Sequence, residues 1–376
     1  MKRETLRTEF TMNHSIKIKL LVFMSVIASI LAPSGLVQAS EIFEFYTGAR
    51  QQAMGGAYTA TVNDETAVLS NPAGLGRIRD TTFTIADPEI DASFTATQVA
   101  TISTFTQVFT VQGLLDQLNQ NKGVPWHAKV QFFPSFVAPN FGIGLHGKYQ
   151  YDAEVDATGT NYQLDYLNDY ALAMGFCLRF WGGIVKLGTT IRAVDRIEFH
   201  GVLPANSTGL EIKNIASEGL GVASDVGLVI TLPVAWLPAI AGTIRDAGNT
   251  SYALSRGMFI SSATRPVDTL QMIDAGFSIS PILSNNNRLT ITGEMHDVTN
   301  VREATTTNRN IHAGLEFNFH DFFFLRGGMN QGFYTAGIEL ASTKFQLQAT
   351  TYGEDIGTDT TPREDRRFIG KFSIRF

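Results

Sequence analysis

From about Trp126 to the C-terminus the chain alternates apolar and polar residues in stretches of about ten, the length of a tilted membrane-spanning strand. One stretch places Phe141, Ile143, Leu145, Gly147, Tyr149 and Tyr151 on one face and Gly144, His146, Lys148 and Gln150 on the other. A second sets Leu289, Ile291 and Met295 against Thr290, Thr292, Glu294 and His296. A third sets Ile311, Ala313, Leu315, Phe317 and Phe319 against His312, Glu316, Asn318 and His320. The period of two is that of a strand. In a soluble sandwich the apolar face points to a core; in a barrel in lipid it points outward. Alternation alone does not choose between them.

Three further patterns favour a barrel. Short polar turns are expected at one end, at Trp181-Gly182-Gly183, Ser284 to Asn287, Phe319-His320-Asp321 and Asn330-Gln331-Gly332, while the connections 198–221 and 353–367 are long. Aromatics gather near strand ends, at Tyr149 and Tyr151, Phe180 and Trp181, Phe322 to Phe324, and Phe333 and Tyr334, as an interfacial girdle requires. The last residues, Phe368 to Phe376, alternate and end on a phenylalanine, which resembles the signal read by the outer-membrane barrel assembly machinery, so Phe376 is the assembly-signal candidate.

Candidate strands fall near 80–87, 127–138, 140–152, 164–180, 183–197, 220–231, 253–260, 270–280, 288–298, 309–319, 321–330, 332–341, 343–352 and 366–376. The fold expected is therefore all-β, a transmembrane antiparallel barrel of about fourteen strands over residues 80–376. For the strand at 253–260 the stretch Ala241–Ala247 is the competitor. Between Ser103 and Asn121 the period changes: Phe105, Val108, Phe109, Leu115 and Leu118 recur at helical spacing opposite Gln107, Gln112, Asp116 and Asn119, which predicts a short amphipathic helix.

Composition fits this picture. The chain is 44% hydrophobic, yet beyond the N-terminal forty residues it holds no apolar run of eighteen, and the longest candidate, Leu228 to Gly242, is broken by Pro233 and Pro238. Lys17 and Lys19, the apolar run Leu20 to Ala32 and the small residues of Val37-Gln38-Ala39 read as a cleavable signal peptide, residues 1–39. Its removal takes away five basic and two acidic side chains and moves the net charge from −6 to −9. An acidic chain argues against a nucleic-acid partner. Cys177 is the single cysteine, so an internal disulfide is excluded, and it reads as a plain strand residue.

Enzymatic chemistry is not signalled. His296, His312 and His320 lie beside Glu294 and Glu316, but with the spacing of lumen-facing strand residues rather than of metal ligands. Lys148, Lys186, Arg192, Asp225, Arg326 and Glu339 read as lumen charges. The sequence carries no nucleophile elbow or phosphate loop, and no cofactor is expected.

Residues 48–76 precede the first strand and are rich in small residues, with Gly55-Gly56-Ala57, the acidic turn Asn63-Asp64-Glu65 and the tetrapeptide Asn71-Pro72-Ala73-Gly74. Together with the signal peptide, strand count and terminal phenylalanine, this pattern resembles the opening of the FadL-type outer-membrane transporters for hydrophobic compounds. The resemblance implies that residues 40–79 form a hatch inside the lumen, with Gly55, Gly56, Asn71, Pro72, Ala73 and Gly74 as its gating residues; a periplasmic tail is the competing reading. It implies passive uptake of a hydrophobic small molecule, such as a long-chain fatty acid or aromatic hydrocarbon, through the outer membrane. Capture would occur at an apolar external site, for which Phe105, Val108, Phe109, Leu115 and Leu118 are the candidates, followed by exit sideways through the wall. A related branch assists secretion or conjugation. The second functional reading is accordingly a barrel that binds a protein partner and moves no ligand.

Overall fold

A computed structural model describes residues 43–99, 110–284, 287–301, 307–358 and 361–376. The signal-peptide residues 1–39 and the helix candidates Phe105, Val108 and Phe109 lie outside the described residues.

Among the described residues the barrel has fourteen strands, all antiparallel to their neighbours: β1 (Thr82–Ala86 and Glu89–Ser93), β2 (Trp126–Phe132 and Ser135–Ala138), β3 (Phe141–Val155), β4 (Asn161–Phe180), β5 (Val185–Pro204), β6 (Ser217–Thr231), β7 (Ala239–Arg245), β8 (Met272–Ile279 and Ile282–Ser284), β9 (Asn287–Met295), β10 (Ile311–Phe319), β11 (Phe323–Asn330), β12 (Phe333–Ala341), β13 (Phe345–Asp355) and β14 (Glu364–Arg375). Strand β1 pairs with both β2 and β14, so the sheet closes on itself. Phe83 and Phe376 complete the seam by exchanging two backbone hydrogen bonds, of 2.8 and 2.9 Å. Strands β1, β2 and β8 are interrupted at Pro88, Pro134 and Pro281. A proline cannot donate to the ladder, but each of these carbonyls still accepts, from Phe372, Leu145 and Leu289 of the adjoining strand.

The wall is inverted relative to a soluble protein. In β12, Tyr334 is 79% exposed, and Ile338 and Leu340 are exposed with it, whereas Thr335 and Glu339 are buried. The apolar face therefore points out and the polar face in, which only a lipid solvent favours. Among the described residues no helix is long and apolar enough to cross a membrane.

Two expectations need correction. Residues 253–260 do not form a strand; the seventh strand is Ala239–Arg245, in the competing stretch. The reason is local: Met258, Phe259, Ile260 and Ser261 all direct backbone N–H groups at the buried carboxylate of Glu218, at 3.1, 2.7 and 2.8 Å for the first three, so these donors are spent on a side chain rather than a neighbouring strand. The turn Asn330-Gln331-Gly332 is short but lies at the end that carries the long connections, because Ala341, at the far end of β12, sits at the same end as Phe345 and Ile374. Thr82 and Phe376 mark the other, short-turn end.

The predicted helix is present as Val111–Leu118, α3 after α1 (Ala49–Ala53) and α2 (Phe94–Val99). Thr110 caps it, its hydroxyl accepting from the Gly113 N–H at 3.1 Å. Its Leu114, Leu115 and Leu118 are buried against Tyr151, Tyr162, Leu164 and Tyr166. Gln150 and Asp152, which flank Tyr151, are both buried, and Asp152 is bonded to His127 and Arg367, so Tyr151 belongs to the outward face of the wall. The helix thus covers outward aromatics that the sequence pattern placed in an open girdle.

Candidate functional site

Small residues fold the stretch 43–79 into short turns. Every residue from Gln51 to Val62 and from Glu65 to Gly76 is buried. Gly55 and Gly56 take φ of 65° and 84°, which glycine adopts without a Cβ clash. Both sit against β10 and β11: the Gly55 carbonyl is 2.8 Å from His312 Nδ1, and a Cβ on Gly55 would strike the backbone of Ala313 and Met329. Asn71 is fully buried and starts the 3-10 turn Pro72–Arg77. Its Oδ1 accepts from the Ala73 N–H at 3.1 Å, its Nδ2 donates to the Thr59 carbonyl at 2.9 Å, and Pro72 follows at the first turn position, where its missing N–H costs nothing.

The wall is shaped to receive this segment. A Cβ on Gly188 of β5 would strike Pro72 and Ala73, one on Gly227 of β6 would strike Asn71 Oδ1, and one on Gly337 of β12 would strike Ala53. Gly314 and Gly328 similarly face Met54 and Gly55. Backbone approaches backbone there because the strands present no side chain.

Side chains from most of the circumference then hold the segment. Glu294 accepts the N–H groups of Tyr58 and Thr59, each at 2.7 Å, and the Thr59 hydroxyl at 2.5 Å. Arg50 pairs with Glu316 of β10 at 3.1 Å and with Asp64 of the segment at 2.8 Å. Thr190, Ser278, Thr335 and Thr350 donate hydroxyls to the carbonyls of Val68, Ala60, Ala53 and Ala49. Near the start of the described chain, Lys148 donates to the Glu44 carbonyl at 2.8 Å, and Arg192 lies 4.1 Å over the Phe45 ring. Apolar packing adds to this where Tyr58, Val62, Val68 and Leu75 meet Phe133 and Val137 of the wall.

Burial alone would raise the Asp64 carboxyl, but the Arg50 guanidinium and hydrogen bonds from Thr66 and Tyr58 hold it well below the usual carboxylate range. Burial, and then Arg50, pushes the Arg77 guanidinium down to about 10.

Of the expected lumen charges, all but Lys186 pair across strands among the described residues: Lys148 with Asp169 at 3.1 Å, Arg192 with Asp225 at 2.8 Å, and Arg326 with Glu339 at 2.6 Å. His296 and His312 stack at 4.0 Å, with Glu294 3.0 Å from His296. His320 does not join them: it sits exposed in a turn with φ 55°. Among the described residues no three of these groups are arranged to hold a metal ion. Cys177 is more than a wall residue, since its buried Sγ lies 3.6 Å from the Ala73 carbonyl and against Gly76.

Of the candidate residues, Gly55, Gly56 and Asn71 to Gly74 come together against the inner wall, while Leu115 and Leu118 lie in a separate cluster outside it. Sequence reading missed Glu44 and the wall glycines, and it placed Glu294 in the lumen without its bonds to Tyr58 and Thr59. The glycines leave a trace, because Gly142, Gly144, Gly188 and Gly227 recur at positions where the alternation calls for an inward side chain.

These features define a closed transmembrane barrel whose lumen holds its own N-terminal segment. No family model matches the chain, and no curated protein matches it by sequence. Solved structures do match. The monoaromatic hydrocarbon channel CymD shares 9% identity, with 91% of this chain and 98% of that one covered and a TM-score of 0.51. The toluene transporter TodX of Pseudomonas putida shares 10%, with 90% and 99% covered and a TM-score of 0.51. A Pseudomonas aeruginosa FadL homologue shares 11%, with 90% and 99% covered and a TM-score of 0.48. At the level of the fold, the chain is a closed barrel similar to those of CymD and TodX.

Proposed function

We propose that the protein is an outer-membrane channel for the passive uptake of hydrophobic small molecules, such as long-chain fatty acids or aromatic hydrocarbons, with residues 40–79 as its hatch. The observation that carries this reading is the seat of the N-terminal segment: a glycine-lined wall fastened by reversible polar contacts is suited to a plug that shifts. The similar folds of a monoaromatic hydrocarbon channel and a toluene transporter support the same class of ligand. The long-connection end faces outward from the cell, and the cluster around Leu115 and Leu118 captures the ligand when α3 lifts from the aromatics beneath it. The hatch then shifts around Asn71 to Gly74, and the ligand leaves sideways through the wall.

The test is uptake of a radiolabelled fatty acid and of toluene by cells expressing the full chain, against cells that lack it. Faster entry of either supports the channel, and equal rates for both ligands contradict it.

One observation favours a second reading, a barrel that binds a protein partner without transport. The connection after β7 exposes Leu254, Met258, Phe259 and Val267 at the long-connection end, on a backbone pinned by Glu218. Replacing Phe259 and Val267 with Ser would abolish partner recovery under this reading and leave uptake intact under the first.

A further inference from the structure

At the short-turn end, beneath the N-terminal segment, the lumen opens into a cavity of about 470 Å³. Its lining is basic in a chain whose net charge is negative: Arg77, Arg79, Arg179, Lys186 and Arg288 all contribute. Glu316 also lines it, and that carboxylate is already held by Arg50 and Arg326. Among the described residues none of the five cations is paired with a carboxylate. Arg77 donates to the Ala60 carbonyl at 2.6 Å and Lys186 to the Gly183 carbonyl at 2.5 Å, and both are neutral acceptors. Lys186 is moreover buried, only 6% exposed, and an ammonium has three protons to place. Burial and the nearby Arg50 charge also lower the Arg77 guanidinium. Arg79, Arg179 and Arg288 stand exposed around the mouth. Charges of one sign lining a concave, low-dielectric wall attract the opposite sign and strengthen its hydrogen bonds, and the volume suits a small ligand.

We propose that this vestibule is an anion site that takes the carboxylate or phosphate head of an amphiphile on its way through the barrel. The proposal rests on the uptake reading for the source of the amphiphile, and it selects acidic amphiphiles over neutral hydrocarbons as the ligands retained at this mouth. A free phosphate offers the same chemistry without the tail.

The experiment is equilibrium binding of oleate, oleyl alcohol and inorganic phosphate to the purified full chain in a neutral detergent. The comparison is with the triple variant Arg79→Gln, Arg179→Gln, Arg288→Gln, whose sites lie on the exposed rim. Oleate should bind about tenfold more weakly to the variant, oleyl alcohol equally to both, and phosphate far more weakly than oleate. On the unaltered chain, where assembly of the variant is not at issue, oleate affinity should also fall as salt is raised. Equal oleate binding by both proteins, or affinity indifferent to salt, would overturn the site. Phosphate binding as tight as that of oleate would assign it to a free anion and overturn the amphiphile. Toluene entry into cells tests uptake separately and should be the same for the triple variant and the parent. Its absence from both would end the uptake reading while leaving the binding result in place.

Discussion

Thr59 is joined to Glu294 twice, the backbone N–H to Oε2 at 2.7 Å and the hydroxyl to Oε1 at 2.5 Å, across 235 residues of chain. The same carboxylate takes the Tyr58 N–H. Glu294→Ala would leave two buried N–H groups without an acceptor, at a cost of about 1–3 kcal/mol each. The strand ladder of β9 does not depend on that side chain, so the barrel should still migrate differently before and after boiling. Single-channel recordings should show frequent openings where the parent shows few; a silent, folded variant would contradict the role given to Glu294.

The wall glycines give a sharper variant. Gly188→Val places a β-branched side chain on a strand, which suits the strand itself, but its Cβ would enter the space of Pro72 and Ala73. The expected outcome is a correctly assembled barrel in which residues near Asn71 become open to protease from the short-turn end. Protection equal to the parent's would show that the seat tolerates a side chain.

Much of the wall was legible because lipid outside and polar groups inside impose a strict period of two. Thirteen of the fourteen expected strands overlap an observed one, and the exception, 253–260, fails because Glu218 draws in the backbone of that loop, a long-range contact that no local pattern records. Residues 89–93 were missed as part of β1 because Pro88 reads as a strand stop, whereas its carbonyl still bonds Phe372. The turn at Asn330 to Gly332 misled because its shortness says nothing about which end it occupies. Asn71 and its neighbours announced a turn, but Glu294 and Gly188 could not announce themselves as its seat. Their partners lie far off in sequence, and a lumen carboxylate looks alike whether it meets a strand or a plug.

Asp64 supplies a pH dependence with a definite sign. Its folded pKa lies below the ordinary carboxylate value of about 4, so the stabilisation it lends through Arg50 is fully present above that value and is lost as pH falls through the lower, folded one. Asp64→Asn should therefore raise opening frequency at pH 7 and at pH 5 alike, with the difference from the parent narrowing only in strong acid. A difference that already vanished as pH fell from 5 to about 3.5 would place the Asp64 pKa within the ordinary range.

Leu115→Ala cuts into the cluster between α3 and the outward aromatics. Such truncations cost about 2–5 kcal/mol in a packed core, here charged to the docking of one short helix rather than to the barrel. Trypsin or chymotrypsin should cut sooner between residues 110 and 123, and fatty-acid entry should slow severalfold. Faster proteolysis with unchanged entry would remove this cluster from the ligand path.

Planar-bilayer conductance of a chain lacking Gly48 to Gly76 tests most directly whether residues 40–79 close the pore. The inter-strand hydrogen bonds do not run through that segment, so the wall should assemble without it, and a fourteen-stranded barrel emptied of its occupant leaves an aqueous passage. Conductance should rise from near zero to that of a wide, persistently open channel. A deletion variant shown to be folded by its heat-dependent mobility, yet no more conductive than the parent, would contradict the hatch.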